Sequence, residues 1–231
     1  MSRGKKSSWW DIPVTLAIAV GVVLLITTFV VKPFSIPSGS MENTLLIGDR
    51  VLVNRMVYHV RDVERGDIIV FDGTDSFVPA GERLQRNPIS GALTWVGQSL
   101  GLIQPDSTDF IKRVIGVGGD HVVCCDVQGR ITVNGTPLDE KYLYPDDVPS
   151  YDDFDVIVPA GKLWVMGDHR SNSADSRSHM GDPGGGFVPT NKVIGRAMVV
   201  LWPPSEFKVL GIPREFDAIP APASTLSLIH I

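Results

Sequence analysis

The chain has 231 residues, of which 43% are hydrophobic, 20% charged and 8% aromatic, a composition that supports a packed core and excludes general disorder. Its 21 Lys and Arg against 26 Asp and Glu leave a formal charge of −5, which argues against a nucleic-acid binder, since such proteins present a basic surface. Length and charge therefore fit one or two globular units without a polyanionic partner.

Residues 1–12 carry Arg3, Lys5 and Lys6, with Trp9 and Trp10 just before an apolar run. From Pro13 to Val31 there are 19 residues without a charge, roughly 28 Å as an α-helix and close to the thickness of a bilayer's hydrocarbon core. A cleaved signal peptide would have a core of about 7–15 residues and a small-x-small site beyond it. Here Lys32-Pro33-Phe34-Ser35 follows instead, which predicts a retained transmembrane helix over 13–31. The basic residues and the aromatic pair place residues 1–12 in the cytoplasm. Residues 32–215 then form an extracytoplasmic domain beside the membrane lipid.

Within that domain the apolar runs are short, rich in Val and Ile, and broken by Gly, Pro and Asp. Val51 to Val53, Ile68 to Phe71, Phe110 to Val117, His121 to Val123, Ile131 to Val133, Leu163 to Met166 and Val193 to Trp202 read as strands. Asn134-Gly135 after Ile131-Thr132-Val133 predicts a hairpin, because a type I′ turn needs positive φ at both central residues. No long amphipathic helix separates the strands, so the fold class is mainly antiparallel β. Residues 72–109 read as a variable insertion, polar at both ends with an apolar centre. Cys124 and Cys125 are adjacent, whereas bridged Cα atoms normally lie about 4.4–6.8 Å apart. Without Cys or His at zinc-ligand spacing around them, they are expected to be buried free thiols. The segment 216–231 is rich in Pro and Ala and is expected to be disordered. Its last six residues, Leu226 to Ile231, match one translated frame of a common sequencing-library adapter and are expected to be a read-through artefact, so His230 receives no role.

Ser40 lies nine residues beyond the span in Ser35-Ile36-Pro37-Ser38-Gly39-Ser40-Met41, a small, sharply turning segment that suits an exposed nucleophile. Even fully extended, nine residues reach only about 30 Å, which keeps Ser40 near the membrane surface. A serine hydroxyl needs a base, and His169 and Lys112 are the candidates. A lysine acts as a base near neutral pH only if burial lowers its pKa. Lys112 shares a strand face with Phe110 and Val114, the surroundings such a shift requires. Arg113 has similar neighbours in Ile111 and Ile115, but a guanidinium cannot accept the proton.

Four blocks in this order carry a family resemblance: Pro37-Ser38-Gly39-Ser40-Met41 with Thr44-Leu45; Gly48-Asp49-Arg50-Val51-Leu52-Val53; Arg65-Gly66-Asp67-Ile68-Ile69-Val70-Phe71 with Ile111-Lys112-Arg113-Val114-Ile115-Gly116; and Gly167-Asp168-His169-Arg170-Ser171-Asn172-Ser173-Ala174-Asp175-Ser176-Arg177. The chain resembles the bacterial type I signal peptidases, membrane serine proteases with a Ser/Lys dyad. The resemblance implies Ser40 as nucleophile and Lys112 as general base. It implies Ser38 and the Ser40 backbone N–H as the oxyanion hole, Ser173 as a hydrogen-bond partner orienting the Lys112 amine, and Asp175 with Arg177 as an ion pair bracing the last block. It further implies two antiparallel sheets with an apolar face near the membrane. The implied substrates are secretory preproteins with small residues at −1 and −3, met near the secretion translocon, and no metal or organic cofactor is implied. His169 and Ser171 depart from the Asn and Asp frequent at those positions.

Two other motifs compete. Gly97-Gln98-Ser99-Leu100-Gly101 fits the nucleophile elbow of α/β-hydrolases, but Pro105 leaves no room for the helix that must follow. Ser205-Glu206-Phe207-Lys208 fits S-x-x-K without that motif's companions and reads as chance.

Overall fold

The computed structural model describes residues 11–78 and 108–222. Residues 1–10, the centre of the expected insertion with Ser99, and the last residues with Leu226 to Ile231 lie outside the described residues.

The first element is the helix α1 (Asp11–Phe29). It begins and ends two residues before the expected span, because Val31 already starts the first strand, β1 (Val31–Ser35). α1 is apolar all round rather than amphipathic, and Ile12, Leu16 and Ile18 are 75%, 65% and 62% exposed. Among the described residues no helix is long and apolar enough to cross a membrane.

Antiparallel β-structure follows, as expected for the fold class. The strands are β2 (Arg50–Asn54), β3 (Ile68–Asp72), β4 (Asp109–Val117), β5 (His121–Cys124), β6 (Thr132–Val133), β7 (Thr136–Pro137), β8 (Phe154–Ile157), β9 (Lys162–Met166), β10 (Val188–Pro189), β11 (Val193–Trp202) and β12 (Lys208–Val209). One eight-stranded sheet has the order β1-β2-β11-β3-β4-β9-β10, with β12 paired to β11, and a four-stranded sheet has the order β7-β6-β5-β8. Asn134 and Gly135 take φ of +52° and +78° and join β6 to β7 by the expected hairpin, the backbone twist of a primed turn matching that of its strands.

Period-two burial is clearest in β2, where Val51 and Val53 are fully buried while Arg50 is exposed. β4 is different, since residues 112–116 are buried without a break, as befits a strand near the middle of the large sheet with apolar packing on both faces. Across the β3–β4 ladder Ile69 is paired with Lys112 and Ile68 with Arg113. Ile68 and Val70 of β3 enter a core with Phe34, Met41 and Leu45, whereas Ile69 and Phe71 enter another with Val114 and Val165. A third core joins Ile115 and Trp164 to Val122 and Phe154 of the small sheet and to Ile131 just before β6. Each such fully buried side chain contributes about 1.5–3 kcal/mol, so the two charged residues at the centre of β4 sit where the fold is most firmly packed.

Two expectations are corrected, while the expected insertion begins where the β3–β4 ladder ends, at the Asp72–Asp109 pair, with Phe77 just beyond it packed edge-on against Phe71 at 5.3 Å and Phe110 at 5.4 Å. Residues 216–222 of the tail are ordered, because Phe216 and Ile219 are large apolar groups that complete the third core, and Arg65 and Asn134 donate to the Ile219 and Pro220 carbonyls. Cys124 and Cys125 are joined by a disulfide rather than free. The peptide between them is cis and sets their Cα atoms 2.9 Å apart, a spacing outside the ordinary range on which the expectation rested.

Candidate active site

Ser40 sits in a 3-10 turn, Gly39–Met41, three residues after the end of β1. The turn is pinned on its inner side by Met41 and Leu45, both fully buried in the core beneath β1 and β2, so its outer residues are held at a fixed height above β4. Lys112 projects from the middle of β4, only 3% exposed, and its Nζ lies 2.7 Å from Ser40 Oγ. The same amine donates to the Ile111 carbonyl at 3.1 Å. Burial is the largest influence on this lysine and lowers its pKa from 10.5 to about 8; the Asp175 and Asp168 carboxylates oppose the fall, and Arg177 adds to it. A neutral amine beside a serine hydroxyl can accept its proton, and an ammonium ion can return one.

Ser38 is exposed at the start of the turn, in an extended conformation with φ −138° and ψ 159°, and its hydroxyl makes no capping bond. No hydrogen bond joins Ser173 to the lysine. Its Oγ is buried without a hydrogen-bond partner of ordinary geometry, near the Asp175 carboxylate, which it helps to hold below the usual range. The tight approach of Gly167 shows why space here is scarce: a Cβ on that residue would come within 2.3 Å of both Ser173 Oγ and the Ser40 carbonyl oxygen.

Asp175 and Arg177 are both buried and doubly bonded, Arg177 Nε to Asp175 Oδ1 at 2.9 Å and Nη2 to Oδ2 at 2.8 Å. Asp175 Oδ2 also accepts from the Gly167 N–H at 3.0 Å, and Arg177 Nη2 donates to the Arg170 carbonyl at 2.8 Å. The pair thus ties both ends of the segment 167–177 together. Burial works against the Asp175 charge, but the Arg177 bonds and the Gly167 N–H outweigh it, and its pKa stays below the ordinary value.

Several supporting residues escape sequence reasoning. Arg113, set aside above because it cannot act as a base, makes a buried two-pronged bond to Asp168 at 2.8 and 2.6 Å, donates to the Gly66 carbonyl at 3.1 Å, and lies 4.1 Å from the centre of the Tyr142 ring. Thr44 donates to the same Asp168 carboxylate, so the turn bearing Ser40 is strapped to the strand bearing Lys112. Arg170 forms a second buried pair with Glu140. His169, the alternative base, turns its Nδ1 to Glu42 Oε2 at 3.2 Å and stacks on Tyr144 at 3.9 Å; it meets Ser40 through its backbone N–H, which donates to the Ser40 carbonyl at 3.2 Å. Thr44, Arg113, Asp168 and Arg170 lie inside the motif blocks and Glu140 outside them, but nothing in the spacing shows which of these residues pair.

The family profile described as "Signal peptidase, peptidase S26" matches residues 9–202. The chain is 40% identical over 238 residues to a protein of Mycobacterium leprae (strain TN) named "Probable signal peptidase I", covering 90% of this chain and 81% of that one. It is 40% identical over 228 residues to "Signal peptidase I" of Mycobacterium tuberculosis (strain CDC 1551 / Oshkosh), with 89% and 76% covered. A "Probable signal peptidase I-2" of Synechocystis sp. (strain ATCC 27184 / PCC 6803 / Kazusa) is 36% identical over 214 residues, with 93% and 83% covered. The chain belongs to the signal peptidase family, peptidase S26, and is a serine endopeptidase.

Proposed function

We propose that this protein removes N-terminal signal peptides from exported preproteins, cutting after a small-x-small site with Ser40 as nucleophile and Lys112 as general base. The observation that carries the reading is the 2.7 Å contact between Lys112 Nζ and Ser40 Oγ in a setting that lowers the lysine to about 8. In the neutral form the amine lone pair accepts the Ser40 proton while Oγ attacks the scissile carbonyl. The resulting ammonium then gives its proton to the leaving amine. Ser38 Oγ and the Ser40 N–H stabilise the oxyanion, each such donor contributing about 2.7–4 kcal/mol. Asp175 and Arg177 act as a brace rather than in proton transfer, since the Arg177 guanidinium is committed to Asp175, to the Arg170 carbonyl and, beyond the loop, to Ser150 Oγ.

The protein is anchored by a single membrane crossing on the charge-free run 13–31, whose last two residues lie beyond the end of α1, with its N-terminus cytoplasmic and the catalytic domain outside, near the translocon that delivers its substrates. Support comes from the charge-free run, the flanking basic and aromatic residues, and the exposed apolar sides of α1. Leu201, Trp202, Phe207 and Val209 are also exposed, on β11, β12 and the turn between them, and supply an apolar face for the lipid surface.

The test is cleavage of a purified preprotein bearing an Ala-x-Ala site by the detergent-solubilised full chain. Wild type is expected to release a product beginning directly after that site, while Ser40→Ala and Lys112→Ala are inactive. Normal cleavage by Lys112→Ala would overturn the dyad, and failure of wild type to cut would overturn the substrate assignment.

A further inference from the structure

The two peptides that flank Ser40 decide where its hydroxyl and its backbone N–H point, and both are held from the same place. On one side, the Glu42 N–H donates to the Gly39 carbonyl at 3.1 Å. The Glu42 carboxylate arches back over Gly39, so that a Cβ there would lie 2.8 Å from Oε2. On the other side, the His169 N–H donates to the Ser40 carbonyl at 3.2 Å. His169 Nδ1 then closes the circuit on Glu42 Oε2 at 3.2 Å, with the imidazole and carboxylate only 15% and 25% exposed. The ring is fixed in turn by its parallel stack on Tyr144, 3.9 Å away.

The charged neighbours of His169 are committed elsewhere. Asp168 is bound to Arg113 and Thr44, and Arg170 to Glu140. Asp147 accepts from the Ser171 N–H. Glu42 is therefore the acidic group that His169 itself engages, and the imidazole does not touch either Ser40 Oγ or Lys112 Nζ.

We infer that His169 and Glu42 form a two-point clamp on the nucleophile's turn, a pair of positioning residues that sets the direction of Ser40 Oγ and of the Ser40 N–H without taking part in proton transfer. The inference rests on Ser40 being the nucleophile. A clamp of this kind governs the chemical step more than substrate capture, because misplacing the reacting atoms by even about 1 Å can cost up to about 10²-fold in rate.

The experiment uses the full chain in detergent with a preprotein substrate and compares His169→Phe, His169→Asn, Glu42→Leu and the double variant Glu42→Leu/His169→Phe. Phenylalanine keeps the stack on Tyr144 and removes Nδ1, and leucine removes the carboxylate. The expected result is a fall in kcat of at least about tenfold with KM within about twofold. His169→Asn, which can still donate to Glu42, should recover most of the rate. The double variant should be no worse than the poorer single one, since both remove one contact. The rise of activity with pH should stay near 8 in every active variant, because the clamp does not act on Lys112. Wild-type kcat in both His169→Phe and Glu42→Leu overturns the clamp, as do additive losses. A loss accompanied by a shift of the pH limb towards 10.5 also overturns it, since that marks a loosened site. If His169→Phe does not fold, Glu42→Leu carries the same expectations. Ser40→Ala is the control that separates the two readings: activity in that variant would sink the nucleophile assignment itself, whereas an inactive Ser40→Ala beside fully active clamp variants would sink this inference alone.

Discussion

Replacing Lys112 by Met should make the fold more stable while abolishing activity. The side chain is 3% exposed in the middle of β4, and its pKa falls from 10.5 to about 8. That drop corresponds to about 3 kcal/mol of penalty on the buried ammonium. The unfolded chain holds the proton up to its ordinary value and the folded chain releases it earlier, so the penalty is complete below pH 8 and fades as pH rises towards 10.5. Met fills similar volume without the charge. It loses the contact with Ser40 Oγ, worth about 1 kcal/mol, which leaves a net gain of about 2 kcal/mol at pH 7. For a domain of this size the gain is a rise of about 4–8 °C in Tm. Thermal unfolding of the detergent-solubilised proteins at pH 7 and at pH 10.5 reads it directly, with the difference expected at the lower pH and largely gone at the higher. Equal Tm at pH 7, or a variant less stable at both pH values, would refute the claim that burial is what depresses this lysine.

Three further outcomes follow from the site. Ser38→Ala should lower kcat about 10²- to 10³-fold with little change in Tm, measured by preprotein cleavage and unfolding of the same preparation; an unchanged rate removes Ser38 from the oxyanion site. Asp175→Ala should destabilise the protein by about 3–5 kcal/mol, because it leaves the buried Arg177 unpaired, and a denaturant midpoint within error of wild type would show that the pair is dispensable. Gly167→Ala should cut kcat sharply even in protein that remains folded, since its Cβ would meet the Ser40 carbonyl at 2.3 Å; full activity would mean the turn has slack that the structure does not show.

The strands were legible where burial follows a two-residue period or a continuous Val and Ile run. β2, β3, β4, β9 and β11 lie within a residue or so of their sequence-based ranges, and the Asn134-Gly135 hairpin is set by turn chemistry alone. β1, β8, β10 and β12 were not legible, because Val31–Ser35 and Val188–Pro189 contain proline, Phe154–Ile157 contains Asp155, and Lys208–Val209 is two residues long. Such segments become strands only because a neighbour offers a ladder. At the site, the juxtaposition of Ser40 and Lys112 was anticipated through local chemistry and the ordered motif blocks. Ser173 was placed on the lysine by resemblance, yet its Oγ is buried without a hydrogen-bond partner. The straps from Thr44 and Arg113 to Asp168, and from Arg170 to Glu140, depend on contacts between residues 30 to 124 positions apart, and no local pattern encodes such a pairing. The cysteine pair was misjudged because the Cα spacing usual for bridged cysteines does not hold for these adjacent ones.

In the proposed mechanism Lys112 is the group whose deprotonation activates Ser40, and the pH dependence of kcat/KM for preprotein cleavage reads that deprotonation. Wild type should rise tenfold per pH unit on the acid side and level off above about 8, the value to which burial brings the lysine, while Lys112→Arg, which keeps the charge but has no accessible neutral form, stays inactive throughout. A flat profile between pH 6 and 10, or cleavage by Lys112→Arg, would contradict the account.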